Sequence, residues 1–388
     1  GIFLGFIIML ILGIFNPKNT VGDAFKGLGI LFRGPFASAS KYIGTNFGNM
    51  LFNAVPLIFT GLSVAIAYKT GLFNIGAAGQ FIMGGLGSLL IALNINTTGN
   101  RFAGVMVWIL AVIAGVILAT IWGMIPGIFK AFFGINEVIV CIMTNWIAAN
   151  IFTWVFDGIN SIHDVGAGAS AYLIKTSVTG NFTPKLGLDK LFNGSMLDMS
   201  LIIAIVVAIV IYIILNKTVF GYELKACGSN KDASKYAGMN AKRNIILSMA
   251  IAGALTGLGA CFYYLNSSVS VQYKSMYQNL PAYGFNGIPA ALLANCNPIG
   301  VIFSAIFIRY LTSAGSLLAS AGYNKYLADI VIAFIIYLAG FARLFKELLN
   351  KRKKNEKVVD TRFAPEEKEL NKQSTDKEEE KKQWVLVN

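Results

Sequence analysis

Two long apolar runs flank a strongly basic stretch in the second half of the chain, and this pattern limits what the sequence can fold into. Residues 201–215 and 244–265 carry no charge, whereas residues 217–243 between them hold six Lys or Arg and two acids. Apolar runs of this length are typical of transmembrane helices. Short basic loops between such helices are retained in the cytoplasm. We therefore place this basic loop, residues 217–243, inside and infer the topology outward from it.

The composition also indicates an integral membrane protein. Apolar residues make up 55% of the 388 positions and charged residues 13%, about half the charged fraction of a soluble domain. The net charge of +13 lies mostly at span ends and in loops. We assign it to topology and to contacts with anionic membrane lipids, and expect no nucleic-acid partner. The four cysteines lack metal-ligand spacing, and the single histidine, His163, has no evident catalytic partner.

The apolar runs predict an all-α polytopic membrane protein with about ten transmembrane helices and both termini in the cytoplasm. The predicted spans are 1–15, 47–67, one within 71–94, 104–125, 136–156, 200–215, 244–265, 285–296, 299–318 and 326–345. Pro126 is expected to close the fourth span and Pro289 to break the eighth. The first span is shorter than the roughly 20 residues a crossing needs, so we expect its start to precede this sequence; a cleaved signal peptide is the alternative.

The predicted spans form a transmembrane domain over residues 1–345. Residues 346–388 are rich in Lys and Glu, and we expect them to form a disordered cytoplasmic tail.

A short internal similarity predicts two inverted halves of five spans each. The tripeptide Thr-Gly-Leu recurs at 60–62 and 256–258, and a Phe-Asn pair follows each copy, at 73–74 and 285–286. The copies are separated by an odd number of spans, so their orientation in the membrane is opposite. Broken Gly-rich segments at corresponding places of two such halves point to a transport site.

The Gly-rich segment 71–80, GLFNIGAAGQ, supplies the first candidates for a solute path. Phe73, Asn74 and Gln80 accompany the glycines, and the amides can hydrogen-bond a polar solute. The alternative is close helix packing through small residues, with the amides binding freed backbone groups. Phe285 and Asn286 in the second half resemble Phe73 and Asn74, and are candidates for the same reason.

The segment 134–146, GINEVIVCIMTNW, opens the fifth span and supplies two more candidates. Asn145 beside Trp146 can bind a planar heterocycle by hydrogen bonding and stacking, and interhelical polar contacts are the equal alternative. Glu137 is expected to stabilise the start of its helix rather than to carry protons. The sequence contains no P-loop, HExxH or GxSxG motif, so it predicts neither an enzyme nor a cofactor held by this chain.

The basic loop is longer than a turn requires. Residues 233–239, ASKYAGM, predict a short helix with Ser229, Asn230 or Asp232 as its N-cap and Gly238 near its end. A short helix on the inner face of a membrane protein is a natural docking point for a soluble partner.

Together these motifs, with the loop from 226 to 260 and the segment YGFNGIPAALLANCNPIG at 283–300, resemble the permease subunits of bacterial ABC importers. The group is the branched-chain amino acid/ribose/nucleoside type, and the similarity is strongest to its nucleoside branch. It covers about residues 40–345. The sequence departs from the family pattern at Ala78, where Glu is common, and at Ala282, Ala294 and Asn295, where Gly is usual.

The resemblance implies an importer of nucleosides in the bacterial cell membrane. The basic loop would dock an ATP-binding subunit that hydrolyses ATP, a second permease subunit would complete the pore, and an extracellular lipoprotein would deliver the solute. The residues that the family pattern assigns to coupling are Gly228, Lys231, Lys235, Tyr236, Gly238 and Met239. A sugar, riboflavin or a branched-chain amino acid is the alternative solute, and an ATP-independent secondary transporter or a membrane scaffold is the alternative class.

Overall fold

A computed structural model describes residues 2–15, 20–97, 99–158, 163–164, 173–175, 181–272, 276, 278–335 and 337–338. The chain divides into a compact unit of residues 1–336 and a second unit of residues 337–388. Everything below concerns the first unit. The predicted tail, residues 346–388, lies outside the described residues.

The compact unit is built almost entirely from helices. They are α1 Ile2–Phe15, α2 Val21–Arg33, α3 Ile43–Lys69, α4 Ala77–Asn94, α5 Arg101–Phe133, α6 Glu137–Asp157, α7 Leu188–Leu191, α8 Ser200–Lys217, α9 Val219–Ser229, α10 Lys231–Tyr236, α11 Ala241–Tyr264, α12 Ala282–Leu293, α13 Pro298–Leu317 and α14 Tyr326–Ile335. Short 3₁₀ turns lie at Gly34–Ala37, Ser40–Tyr42 and Leu318–Ala321.

Seven of the described helices are long and apolar enough to cross a membrane, namely α3, α4, α5, α6, α8, α11 and α13. Each coincides with a predicted span. Shorter helices, α1, α12 and α14, lie where the first, eighth and tenth spans are predicted. The chain is therefore an all-α polytopic membrane protein. The arrangement as two inverted halves stays a prediction.

Two proline expectations are wrong. Pro126 lies inside α5, which continues to Phe133 and ends at Gly134 with a left-handed φ of 67°. Pro289 likewise lies inside α12 without breaking it. A proline removes one backbone donor from a helix, but packed neighbours in a membrane protein compensate for that loss. The proline signal for a helix end is therefore weaker here than in a soluble protein.

Residues 20–42, which lie between the first and second predicted spans, hold helix α2 and two 3₁₀ turns. A capping box begins α2: the Thr20 hydroxyl accepts from the Asp23 backbone, and the Asp23 carboxylate accepts from the Thr20 backbone. Ala24 and Leu31 are buried against α1 and α14, whereas Phe25 and Phe32 are exposed. This amphipathic division explains why no long apolar run marks the helix in the sequence.

Glycines bring α4, α5 and α11 into backbone contact. A Cβ on Gly115 would lie 2.5 Å from the Gly84 carbonyl oxygen, and one on Gly84 would lie 2.8 Å from the Gly257 Cα. A Cβ on Gly253 would lie 2.4 Å from the carbonyl oxygen of Ala119. Small residues at helix contacts allow close packing where lipid offers no hydrophobic driving force.

The spanning helices differ in how much of them the protein covers. Within the most apolar 18-residue stretch of each helix, 89% of the residues of α3 and 83% of those of α4 are buried. In α8 only 28% of that stretch is buried. Along α5, α6 and α8 isoleucines remain exposed on one side. These apolar faces suit contact with lipid or with another apolar subunit, while α3 and α4 form the centre.

The loop of residues 157–199 and the loop of residues 266–284, which the predicted topology places outside, are joined to each other. Strands β1 His163–Asp164, β2 Leu173–Lys175 and β3 Ser270–Gln272 form an antiparallel sheet in that order. Nearby, the buried Asp198 carboxylate accepts from Asn266 Nδ2 at 2.7 Å and from the Ser200 backbone at 2.9 Å. Burial raises the pKa of this carboxyl above its ordinary value because desolvation outweighs those hydrogen bonds.

The glycine contacts predict a large difference between two helical glycines. Gly253→Val should destabilise the protein by about 1–3 kcal/mol or more, because the new side chain collides with α5 backbone. Gly29→Ala in α2 has open space and should be neutral or slightly stabilising. Thermal unfolding of both purified variants in detergent measures this, and equal midpoints would contradict the packing described.

Candidate functional site

The connection between α3 and α4, residues 70–76, is the irregular segment around which the candidate residues gather. We call it the α3–α4 break. Its second residue, Gly71, has a left-handed φ of 76°, a conformation that glycine adopts without strain. The backbone N–H of Leu72 donates to the Ala67 carbonyl at 2.9 Å, which closes the end of α3. The chain then crosses the break and enters α4 at Ala77.

Asn74 in the break and Gln80 in α4 bind each other. Asn74 Nδ2 donates to Gln80 Oε1 at 3.0 Å, and Gln80 Nε2 donates back to Asn74 Oδ1 at 3.2 Å. Asn74 Nδ2 also donates to Ser63 Oγ in α3 at 2.9 Å. Both amides are buried, so their polar atoms are satisfied within the protein. Ser63 was not identified from the sequence, where a single serine in an apolar span gives no signal.

Asn145 in α6 holds the same segment from the other side. Its Oδ1 accepts from the Gly79 backbone N–H at 2.7 Å, and its Nδ2 donates to the Ile75 carbonyl at 3.0 Å. Gly79 lies in the first turn of α4, whose backbone donors have no partner inside the helix. The N-cap position is Gly76, which has no side chain to supply the bond. Asn145 therefore caps α4 from a different helix.

The remaining candidates do not all converge on this cluster. Trp146 is 43% exposed on the outside of the bundle, while its neighbour Asn145 is 2% exposed and faces inward. Consecutive helix positions differ by about 100° in direction, so the two side chains do not form one stacking site. Phe73, Phe285 and Asn286 are half-buried.

The start of α12 contacts α3 and α4 through small residues. A Cβ on Gly284 would lie 2.3 Å from the Ala78 Cα, and one on Gly287 would lie 2.4 Å from Thr60 Oγ1. Ala78 is therefore buried at a backbone contact. Asn295 has a left-handed φ of 52°, a conformation that favours glycine.

The basic loop folds into two helices rather than one. The predicted helix over 233–239 is α10, Lys231–Tyr236, which begins earlier than expected and has Asn230 as its N-cap. Gly238 follows it with a left-handed φ of 79°. The preceding helix, α9, was not predicted. Tyr236 is 94% exposed, and Lys231, Lys235 and Gly238 are exposed around it.

The basic loop lies in backbone contact with the α3–α4 break. Gly228 near the end of α9 faces residues 69–71, and a Cβ there would lie 2.4 Å from the Lys69 carbonyl oxygen and 2.7 Å from the Gly71 nitrogen. No side chain separates the two segments at this point. The basic loop and the break therefore pack backbone against backbone at this point.

Glu137 and Arg309 both have partners within the protein. Glu137 begins α6, as expected for an acid at a helix start, and its Oε2 lies 2.8 Å from Lys130 Nζ at the end of α5. Arg309 has no ion pair with Asp329 among the described residues. Its Nε donates to the Asn53 carbonyl at 3.0 Å, and its guanidinium lies 4.6 Å from the centre of the Tyr283 ring.

The cap from Asn145 predicts a specific loss of stability. Asn145→Ala leaves the Gly79 donor and the Ile75 acceptor without partners, and should cost about 1–3 kcal/mol of unfolding free energy. Asn150→Ala is the matched control, because Asn150 is exposed and donates only to its own helix. Thermal unfolding of the purified variants compares them, and equal destabilisation would contradict the capping role.

The sequence matches the family described as branched-chain amino acid transport system, permease component, over residues 46–340. It is 35% identical over 357 residues to the nucleoside ABC transporter permease protein NupB of Lactococcus lactis subsp. cremoris, covering 91% of each chain. It is 32% identical to the guanosine ABC transporter permease protein NupP of Bacillus subtilis, covering 91% of this chain and 94% of that one. A nucleoside permease of the same Lactococcus, NupC, is 23% identical over 68% of this chain and 80% of its own. The chain therefore belongs to this family of membrane permease components, which are transporters rather than enzymes.

Proposed function

We propose that the chain is one permease subunit of an ATP-binding cassette importer that takes up nucleosides. The similarity to NupB over 91% of both chains is the observation that carries the proposal. The geometry supports it, because an exposed loop helix and a candidate solute path share a backbone contact.

In this proposal α10 and the residues after it dock the ATP-binding subunit. The docking surface consists of exposed loop residues that include Tyr236, Lys231 and Lys235. Exposed aromatic side chains are frequent anchors in protein interfaces, and the two lysines complement acidic groups on a partner. Asn230 accepts from two backbone N–H groups of α10 and holds this short helix in shape for docking.

The contact of Gly228 with the α3–α4 break is the proposed route from ATP hydrolysis to transport. A docked subunit that moves α9 also moves residues 69–71, which Gly228 touches. The Asn74–Gln80 pair and the Asn145 cap lie at the far side of the same break. We assign these amides to the solute path: they exchange their internal hydrogen bonds for bonds to the solute when the break moves.

The proposal includes partners and a membrane orientation. A second permease subunit completes the pore, as the two distinct Lactococcus permeases NupB and NupC suggest, and an extracellular lipoprotein delivers the solute. Both termini face the cytoplasm of a bacterial cell, residues 1–345 form the permease domain, and residues 346–388 form a cytoplasmic tail. In this proposal the chain itself binds no cofactor, and the ATP-binding subunit hydrolyses the ATP.

A sugar is the second candidate solute. The chain is 28% identical to the glucose ABC transporter permease protein TsgB13 of Haloferax volcanii over 76% of its length. The nucleoside-named relatives are more similar and match nearly the whole chain, so nucleosides are preferred.

The experiment measures labelled nucleoside uptake by cells that express the whole predicted system. One variant carries Lys235→Glu and Gly238→Glu in the basic loop. Its control carries Lys190→Glu and Gly194→Glu in the loop predicted outside, where both residues are exposed and Gly194 shares the left-handed φ and open surroundings of Gly238. The two pairs match in backbone strain and in the change of charge, and only the first pair lies on the proposed docking surface for the ATP-binding subunit. We expect uptake to fall at least about tenfold in the loop variant alone, equivalent to about 1.4 kcal/mol.

Three other outcomes contradict the proposal in different ways. Uptake that survives both changes removes the docking role of the basic loop. Equal loss in both variants contradicts a specific docking role for the basic loop. If the intact system imports glucose but no nucleoside, the proposed solute is wrong and the assignment as an importer stands.

A further inference from the structure

A cavity of about 250 Å³, lined by seven polar and three apolar residues, lies between α3 and α13, away from the α3–α4 break. Its lining is formed by Pro35, Asn46, Asn49, Met50, Asn53, Arg309, Thr312, Ser313, Ser316 and Leu317. Under the proposed topology it lies toward the outside, because α3 ends at Lys69 beside the cytoplasmic loop. The volume falls just below the roughly 300–1,000 Å³ of drug-sized ligand sites, which suits a small solute.

The lining follows the helix period on both sides. Three asparagines lie on one stripe of α3, at positions 46, 49 and 53, and four polar residues lie on the facing stripe of α13, at 309, 312, 313 and 316. Polar and charged residues inside membrane proteins are costly, and they mark solute pathways. Two polar stripes that face each other, in a chain with only 13% charged residues, therefore indicate a binding site.

Hydrogen-bond donors remain available in this cavity. Arg309 uses Nε on the Asn53 carbonyl, and its two Nη groups have no acceptor among the residues that the structure describes. The Arg309 guanidinium also lies against the Tyr283 ring. Asn49 Oδ1 accepts from the Met196 backbone, which leaves Nδ2 as a donor. The Asn46 amide has no partner within the described part of the chain.

Acceptors come mainly from hydroxyls. Thr312, Ser313 and Ser316 each donate to a carbonyl of their own helix, so only their oxygen lone pairs face outward. The cavity therefore contains the planar Arg309 guanidinium, the asparagine side-chain amides and hydroxyl oxygens that can accept hydrogen bonds. An arginine fork best matches two adjacent acceptors in one plane.

We propose that this cavity selects 6-oxopurine nucleosides, with Arg309 donating to O6 and N7 of the base; this rests on the proposed nucleoside import. Guanine and hypoxanthine present those two acceptors side by side. Adenine presents N7 beside an amino donor, which an arginine cannot accept from. Pyrimidines lack the N7 edge altogether. Arg309 therefore sets the preference among nucleosides, and the other polar residues bind the rest of the solute.

The test compares the initial uptake rates of labelled guanosine and adenosine in cells that differ only in this chain. A change in the guanosine-to-adenosine uptake ratio is therefore caused by the substitution. Arg309→Gln should lower the guanosine-to-adenosine ratio by roughly 5- to 150-fold. Arg309→Lys should lower it too, because an ammonium lacks the fork. Arg101→Gln, at the start of α5 and outside the cavity, is the control and should leave the ratio unchanged. The ratio does not depend on how much variant reaches the membrane.

A second measurement needs no variant. Guanosine should raise the thermal midpoint of the purified permease and ATP-binding complex, without the lipoprotein, and 7-deazaguanosine and adenosine should raise it less. A ratio within twofold of the unaltered value in the Arg309→Lys cells, or equal protection by guanosine and 7-deazaguanosine, would overturn the assignment while leaving nucleoside import intact. An intact system that imports no nucleoside would instead remove the proposed function, and the assignment with it.

Discussion

A backbone that leaves helical geometry inside a membrane protein must find its hydrogen-bond partners within the protein, because lipid supplies none. At the α3–α4 break the Asn145 side chain of α6 bonds the backbone groups of Gly79 and Ile75. Ser63 of α3 and Gln80 of α4 accept from the Asn74 side chain in the break itself. This arrangement holds a short irregular segment in place through hydrogen bonds that run between helices. The same segment is the one that Gly228 touches.

Close glycine packing gives the break a stable frame. Because α4, α5 and α11 meet through Gly84, Gly115 and Gly257, their backbones leave little space between them. Packed interfaces of this kind resist continuous deformation, so a displacement is expected to concentrate where regular packing stops. Regular packing stops at the break, beside the basic loop. The lining of the proposed purine site comes from α3 as well, so the site and the coupling contact lie at opposite ends of one helix.

The sequence predicts the long elements well because an apolar run of sufficient length has one stable solution in a membrane. It fails where neighbours decide the outcome. Pro126 and Pro289 do not end their helices, since tertiary packing compensates for a missing donor. The helix α9 is short, and its role depends on a contact with Gly71 far away in the sequence.

The candidate site shows the same limits. Residue type identified Asn74, Gln80 and Asn145, and the structure brings these three together. Spacing alone did not separate Asn145, which faces inward, from Trp146, which faces outward. The asparagines at 46, 49 and 53 were not identified as candidates from the sequence, although they recur at the helical period in the first half of α3. Arg309 lies beside these asparagines only in the folded structure, because it is 256 positions away from Asn53 in the sequence.

The most direct test of the coupling route is Gly228→Ala in the assembled transporter, with nucleoside uptake and ATP hydrolysis measured in the same vesicles. The added methyl group pushes α9 away from residues 69–71, where only backbone is present to yield. We expect ATP hydrolysis to continue while the number of nucleosides moved per ATP falls at least about tenfold. Gly29→Ala, which has open space, should leave that number unchanged. An unchanged number of nucleosides per ATP in fully assembled Gly228→Ala transporter would contradict coupling through this contact.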